Sequence, residues 1–502
     1  MKLRKELLED IVRRAEYYPG EKPEWKDCLV DILACYASEN DTVERIVAFE
    51  GIMSSERKGN YPPFVVKSLL GFLSYVHKRN RWASKVIPGV VGDLYYDYLE
   101  QLCGISSMFL LKFIFLSDKE IVYLEPEDVT KLCSAYPVWA RRVAELTLQW
   151  CTVQDEMLQR LSDDMGLEHI TRLYSMGADL HNHGRRVFFV ELNGSRRVLY
   201  KPHPLDTDCG WINLCNWFRE ETGTEICYAQ TANHGAYGYV EYINYRNPPA
   251  DELPLFFYHC GVLLCLVYWT KGADMHCENI IAQGIWPCLV DLEMITGENE
   301  EFSVLGTAML RYKKYRKGEE IDDFGAFTSN NPQWFSLPRR DDRVVTAVEY
   351  REEVINGFQK TYRLLMKMSP RKTDFFKFAS PRYLFRPTSY YVALLKRLLS
   401  EDTLSDGKKY YEETKRSLNS VPKNERALES ELRAILRGDV PLFYQQRQTR
   451  DLYDPDGMIE SDFFVGYPGH VLQRELTEMD LQKQLSIIWQ ELGSEKQHKS
   501  IS

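Results

Sequence analysis

Asp274-Met275-His276-Cys277-Glu278-Asn279 sets an Asp, a His and an Asn in the pattern D-x-H-x-x-N, and a second acid, Asp291, follows twelve residues after Asn279. Transfer of a phosphoryl group from a nucleotide needs these residue types. One carboxylate must orient the attacking hydroxyl or take its proton. An amide oxygen and a second carboxylate must hold magnesium against the phosphates. A D-x-H-x-x-N by itself is as easily an ordinary turn between two apolar elements. The second Asp beyond a short hairpin tips the reading toward chemistry.

Three further segments could serve the same chemistry. Lys201 ends the run Leu199-Tyr200-Lys201-Pro202, where a strand-end lysine could contact nucleotide phosphates. Gly177 to Val187 holds two Gly, two His (His181 and His183), Asp179 and two Arg. Such a turn could cover phosphates through backbone amides and cationic side chains, although it is no Walker A sequence. Ser380 to Tyr390 carries Arg382 and Arg386 four apart, with Thr388 two residues later. It could steady a leaving phosphate, or be a strand or turn before a helix capped near Thr388. The basic run Arg311 to Lys317, with two tyrosines, reads as a solvated loop or as a landing strip for an acidic peptide.

The elements around these residues come in a consistent order. Residues 1–165 read as mainly helical, including a helix from Gly89 through the apolar patch Met108–Leu111. A helix follows Tyr136-Pro137-Val138-Trp139, and a separate one carries Met157, Leu158 and Leu161. After Asp179 the pattern changes to strands. Val187–Leu192 and Arg197–Lys201 flank Asn193-Gly194, a strong hairpin signal. Glu225–Tyr228 and Tyr237–Ile243 read as two more strands. Leu255–Trp269 reads as a buried helix, and Ile280–Ala282 and Cys288–Val290 as short strands about Gly284. Residues 346–502 read as a return to helix, with cores at Val354–Phe358 and Tyr390–Leu395.

Composition narrows the class. The chain has 502 residues, more than one ordinary domain, and its 44% hydrophobic fraction is enough for large cores. A net charge of −10 makes nucleic acid an unexpected partner. The N-terminus is charged, without the apolar core of a signal peptide. The apolar run at 255–269 is shorter than the ~20 residues that span a bilayer. A cytoplasmic protein without a transmembrane segment is therefore expected. The 12 cysteines lack C-x-x-C spacing and mostly sit in apolar runs, so neither disulfides nor zinc are expected.

Taken in order, these motifs resemble the dehydratase domain of class II lanthipeptide synthetases, whose catalytic core is similar to lipid kinases. The resemblance rests on Gly177–Gly184, Tyr200-Lys201-Pro202, Tyr237–Tyr242, Asp274–Ala282 and Leu289–Glu293. It continues through Ser303–Thr307, Arg382–Thr388, Thr449–Gly457 and Asp462-Phe463-Phe464. It implies an α+β fold: an atypical, lipid-kinase-like bilobal kinase core with large helical N- and C-terminal additions. The helical region would be 1–165, the N-lobe 166–250, and the C-lobe with its helical extension 251–502.

The activity implied is ATP-dependent phosphorylation of Ser and Thr in a ribosomally made precursor peptide with a leader, then elimination to dehydroalanine or dehydrobutyrine. The resemblance assigns Lys201 to the ATP phosphates, Asp274 to the hydroxyl with His276 in support, and Asn279 and Asp291 to magnesium. Arg382 and Thr388 would serve elimination, with Asp179 and His181 assisting. Family members usually carry a C-terminal cyclase domain with a Cys, Cys, His zinc site. No Cys lies beyond Cys288, so cyclisation is expected of a separate protein if it occurs. A stand-alone peptide kinase and a non-catalytic scaffold are the alternatives left open.

Overall fold

The computed structural model describes residues 5–19, 21, 23–37, 69–116, 126–177, 179–296, 303–311, 313–316, 319–368, 375–419, 424–468 and 476–493. They form two compact units, Met1–Pro202 with Leu384–Leu442, and His203–Tyr383 with Phe443–Ser502. The fold mixes helices with antiparallel sheets, as an α+β class requires.

The first unit opens with α1 (Lys5–Ala15), α2 (Trp25–Ala37), α3 (Leu70–Arg79), α4 (Pro88–Leu116), α5 (Pro126–Ala135) and α6 (Pro137–Met165). The side chains of the Met108–Leu111 patch lie outside the described residues, although its backbone continues α4. Two helices were expected between 137 and 165, and there is one. Val143, Leu146, Trp150, Val153, Met157 and Leu161 keep helical spacing with no Gly or Pro between them, so nothing breaks the ladder. Gly166, at φ 77, ends it. Three antiparallel strands follow: β1 (Ile170–Ser175), β2 (Phe188–Leu192) and β3 (Arg196–Lys201). β2 and β3 are the expected hairpin, turning at Asn193 (φ 50) and Gly194 (φ 67). β1 was not expected. Its strand character comes from pairing with β2 and from the buried Ser175, held by Asp97.

The chain then builds most of the second unit. α7 (Asp206–Thr222) precedes the hairpin β4 (Thr231–Asn233) and β5 (Gly238–Glu241). Glu225–Tyr228 is no strand. Only Tyr228 makes an isolated parallel bridge, to Leu289. α8 (Leu253–Trp269) is buried on all sides from His259 to Trp269 and forms the core of this unit. Among the described residues, Ala250–Trp269 is the one stretch long and apolar enough to cross a membrane, but 67% of the window is buried in protein. The hairpins β6 (Ile280–Gln283) with β7 (Trp286–Leu289), β8 (Lys313–Arg316) with β9 (Glu319–Asp323), and β10 (Arg339–Arg340) with β11 (Arg343–Val344) come next. Within the basic run, Lys313–Arg316 is thus a strand paired with Glu319–Asp323, and Tyr312 and Lys317 lie outside the described residues.

α9 (Arg351–Met368) packs on α8 at two glycines. A Cβ on Gly261 would lie 2.0 Å from the Val354 carbonyl oxygen, and one on Gly357 2.0 Å from that of Tyr258. The segment closes with β12 (Arg382–Tyr383).

Residues 384–442 return to the first unit as α10 (Thr388–Arg397), α11 (Glu401–Leu404), α12 (Gly407–Leu418) and α13 (Glu425–Arg437). Ser400, Asp406 and Asn424 cap the last three. The second unit is completed by β13 (Phe443–Gln445), β14 (Leu452–Asp454), β15 (Gly457–Glu460) and α14 (Glu478–Gly493). β12 to β15 form an antiparallel sheet inside a region expected to be helical. Strands of two to four residues carry too little alternation to be seen in sequence. All 12 cysteines are free thiols.

Candidate functional site

The loop after α8 is fixed by its backbone before its side chains matter. Gly272 donates to Val267 at 2.8 Å, and a Cβ there would meet Ile295 and Val267 side chains at 2.7 and 2.8 Å. The amides of Ala273, Met275 and Cys277 donate to the carbonyls of Met294, Thr307 and Phe324. Met275 and Cys277 are buried, and the alternating Asp274, His276 and Glu278 are left accessible. Asp274 is held at φ 63, in the left-handed region that costs a non-glycine residue ~1 kcal/mol or more. Asn279 stabilises that turn by donating from Nδ2 to the Asp274 carbonyl oxygen at 2.8 Å. Its own carbonyl accepts from Val290 at 3.0 Å, which ties the loop to the residue before Asp291.

Charge is concentrated here. Burial, first, holds the Asp274 carboxyl above the usual carboxylate range. His276 lowers it, Asp291 raises it, Arg382 lowers it and Glu293 raises it. The side chain keeps 43% of its accessibility, so it is partly desolvated rather than enclosed. The Glu278 amide donates to His276 Nδ1 at 3.2 Å, which leaves Nε2 to carry the proton of the neutral ring, 3.6 Å from Asp274 Oδ1. The site also suits a hard cation. Because Asn279 Nδ2 is committed, its side-chain oxygen is the atom available to a metal, and Asp291 adds a carboxylate with Oδ1 shielded from solvent. Among the described residues no three His, Cys, Asp or Glu gather as a metal cage. Two oxygen ligands suit magnesium, which takes the rest of its octahedron from phosphates and water.

Arg382, on β12, joins the same group. Its amide donates to the Glu293 carbonyl at 2.8 Å, and its Nη1 to Glu293 Oε2 at 3.3 Å. Nε and Nη2 are buried with no hydrogen-bond partner among the described residues. His203 lies on the far side of Glu293, with Nε2 3.1 Å from Oε1.

The first unit holds the other expected residues. Lys201 ends β3 and is buried. Asp179 is half-buried. His181 donates from Nδ1 to the Val440 carbonyl at 2.9 Å and pairs through its backbone with Arg185. Between them the chain turns through Asn182, His183 and Gly184, all at positive φ. The His183 and Gly184 amides, offered in sequence to a phosphate, donate to Asp439 at 2.8 and 3.0 Å. Arg185 pairs with Glu156, and Arg186 lies 4.0 Å from Asp97. Thr388 starts α10, whose cap position is Pro387 with no side-chain cap, so the expected cap at Thr388 is not made.

A family model described as a domain of unknown function, DUF4135, matches residues 136–317 and 328–446. The chain belongs to the DUF4135 family. The match takes in every candidate residue named above from Asp179 to Thr388. The chain is also 27% identical over 277 residues to the lacticin 481/lactococcin biosynthesis protein LcnDR2 of Lactococcus lactis subsp. lactis. That alignment covers 43% of this chain and 30% of the relative's length.

Within this DUF4135 domain the structure adds residues that sequence reasoning passed over. Glu293 was visible only as the end of Asp291-Leu292-Glu293, and His203 only as the residue after Lys201-Pro202. Their contact joins positions ninety residues apart, which no local pattern displays. Arg386 separates from Arg382: it is buried and its Nε donates to Glu431 at 2.8 Å, with Tyr391 on the same carboxylate.

Proposed function

We propose that the chain is a lanthipeptide-maturing enzyme that phosphorylates Ser and Thr of a precursor peptide with ATP and then eliminates the phosphate. The observation that carries this reading is the grouping of Asp274, Asn279, Asp291 and Arg382: a desolvated carboxylate, two oxygen ligands and a guanidinium with two donors to spare. The name of LcnDR2 as a biosynthesis protein of lacticin 481 supports the substrate class. The order of motifs supports a lipid-kinase-like catalytic core.

In the first step Asp274 orients the peptide hydroxyl and receives its proton. Its raised proton affinity suits that task. His276 steadies the carboxylate, and Lys201 contacts the ATP phosphates. Asn279 and Asp291 would hold magnesium, which supplies positive charge against the phosphates. In the second step a base takes the α-carbon proton, the electron pair becomes the Cα=Cβ double bond as the Cβ–O bond breaks, and phosphate leaves with that bond's electrons. Arg382 can present Nε and Nη2 to that phosphate as a fork, and Thr388 a hydroxyl, with Asp179 and His181 assisting. The partner is a leader-bearing precursor peptide.

The test is the intact mass of a precursor peptide incubated with the full chain, ATP and magnesium. Loss of one water per modified residue is the expected result. A gain of phosphate without water loss identifies a peptide kinase instead. An unmodified peptide that still binds identifies a scaffold.

A further inference from the structure

Glu293 stands between a guanidinium and an imidazole. Oε2 accepts from Arg382 Nη1 at 3.3 Å, and Oε1 faces His203 Nε2 at 3.1 Å. The second contact is no hydrogen bond, because Nε2 lies off the hydrogen-bonding direction. His203 Nδ1 meets the Pro204 carbonyl at 3.0 Å and can only donate there. Both ring nitrogens thus face oxygen.

An arginine beside a carboxylate ordinarily closes into a two-pronged pair, in which both oxygens take parallel N–H bonds. Such a pair would consume the donors that a phosphate needs. Here the pair is held at one prong. Arg382 spends Nη1, and Nε and Nη2 are buried without partners among the described residues. The second prong is unavailable because Oε1 is turned to His203. The main-chain bond from the Arg382 amide to the Glu293 carbonyl fixes the distance between the two residues. The carboxylate can therefore rotate toward one side chain only by giving up the other.

We infer that His203 is a positioning residue for phosphate elimination: it occupies one oxygen of Glu293 so that Arg382 keeps two N–H donors for the departing phosphate. This rests on the elimination reading above. It assigns His203 no contact with the reacting atoms. Without the imidazole, Glu293 closes on Arg382 and takes Nη2 as the second prong, the Nε/Nη2 fork offered to phosphate is broken, and elimination slows. A misdirected group of this kind costs up to about 100-fold.

The experiment uses a synthetic phosphoserine peptide with the full chain, nucleotide and magnesium, and follows release of phosphate and appearance of dehydroalanine. His203→Ala is expected to slow elimination about 10- to 100-fold. His203→Lys, which offers a cation to Glu293, is expected to recover most of the rate. A structural role would not predict rescue by so different a shape. If His203→Ala eliminates at the wild-type rate, or if His203→Lys is as slow as His203→Ala with both variants folded by thermal denaturation, the inference is wrong. A wild type that leaves the phosphopeptide intact overturns the elimination reading itself, and the inference falls with it.

Discussion

The turn at 181–185 and the loop at 273–279 use similar materials to opposite ends. Each has at least one residue at positive φ, each has histidine beside acid, and each is tied down by main-chain bonds. In the turn, the polar groups satisfy one another. Asp439 takes two amides, and Glu156 takes Arg185. In the loop, the main chain is satisfied by carbonyls of neighbouring segments, and Asp274 and His276 remain accessible. The two arginines of Arg382–Arg386 repeat the contrast: Arg386 is closed on Glu431 in the protein interior, and Arg382 holds two donors in reserve. Closed networks stabilise; groups held with spare valence are available for chemistry.

The sharpest way to break this comparison is to exchange its expected costs. Asp274→Asn should lower peptide phosphorylation about 100- to 10,000-fold, as loss of a positioned base does. It should not lower the thermal midpoint at neutral pH. The folded protein raises the proton affinity of Asp274, so the charged form opposes folding and its removal relieves that. Lost activity together with a clearly lowered midpoint would make Asp274 a structural residue.

Arg386→Met should do the reverse. It leaves the Glu431 carboxylate buried without its cation, at a cost of about 3–5 kcal/mol in denaturant unfolding. Arg382→Ala loses one partly exposed contact and should cost under about 1.5 kcal/mol. It should slow elimination on the order of 100-fold, seen as accumulated phosphopeptide. Equal stability losses in the two variants would erase the distinction between them.

Asp439→Asn tests the closed turn. An amide can accept from only one of the two backbone donors without facing its own NH2 to the other, so a loss of about 1–3 kcal/mol is expected. Burial, the largest influence, raises the proton affinity of Asp439 in the folded state. The folded state therefore binds the proton more tightly, and this residue's contribution to stability falls as pH rises through that window. Only the wild type carries that slope, so its thermal-midpoint advantage over the variant should narrow as pH rises through the window; an advantage that stays constant or widens would make the assignment wrong. The smallest effect belongs to Glu278→Ala. Its carboxylate is half-exposed and 3.8 Å from His276 Nδ1, so stability should change by less than about 0.5 kcal/mol and phosphorylation little.

Much of this was legible in the chain alone. The loop carrying D-x-H-x-x-N after an apolar helix, the Asn193-Gly194 hairpin and α8 are strong local signals. Glu225–Tyr228 misled because β-branched and aromatic residues mark a segment that fits a strand, but pairing decides whether it becomes one. The sheet β12–β15 was missed because its members are short and β12 lies sixty residues before β13.

By itself, then, the sequence determined which residue types were present for phosphoryl chemistry, at spacings that one loop and one hairpin can present. Only the tertiary structure decided which of them were spent. Asp439, Glu156 and Glu431 are carboxylates brought from distant positions to close one set of donors, and Glu293 with His203 leaves another set open. Hydrogen-bond valence is satisfied through space, so local spacing carries no record of it.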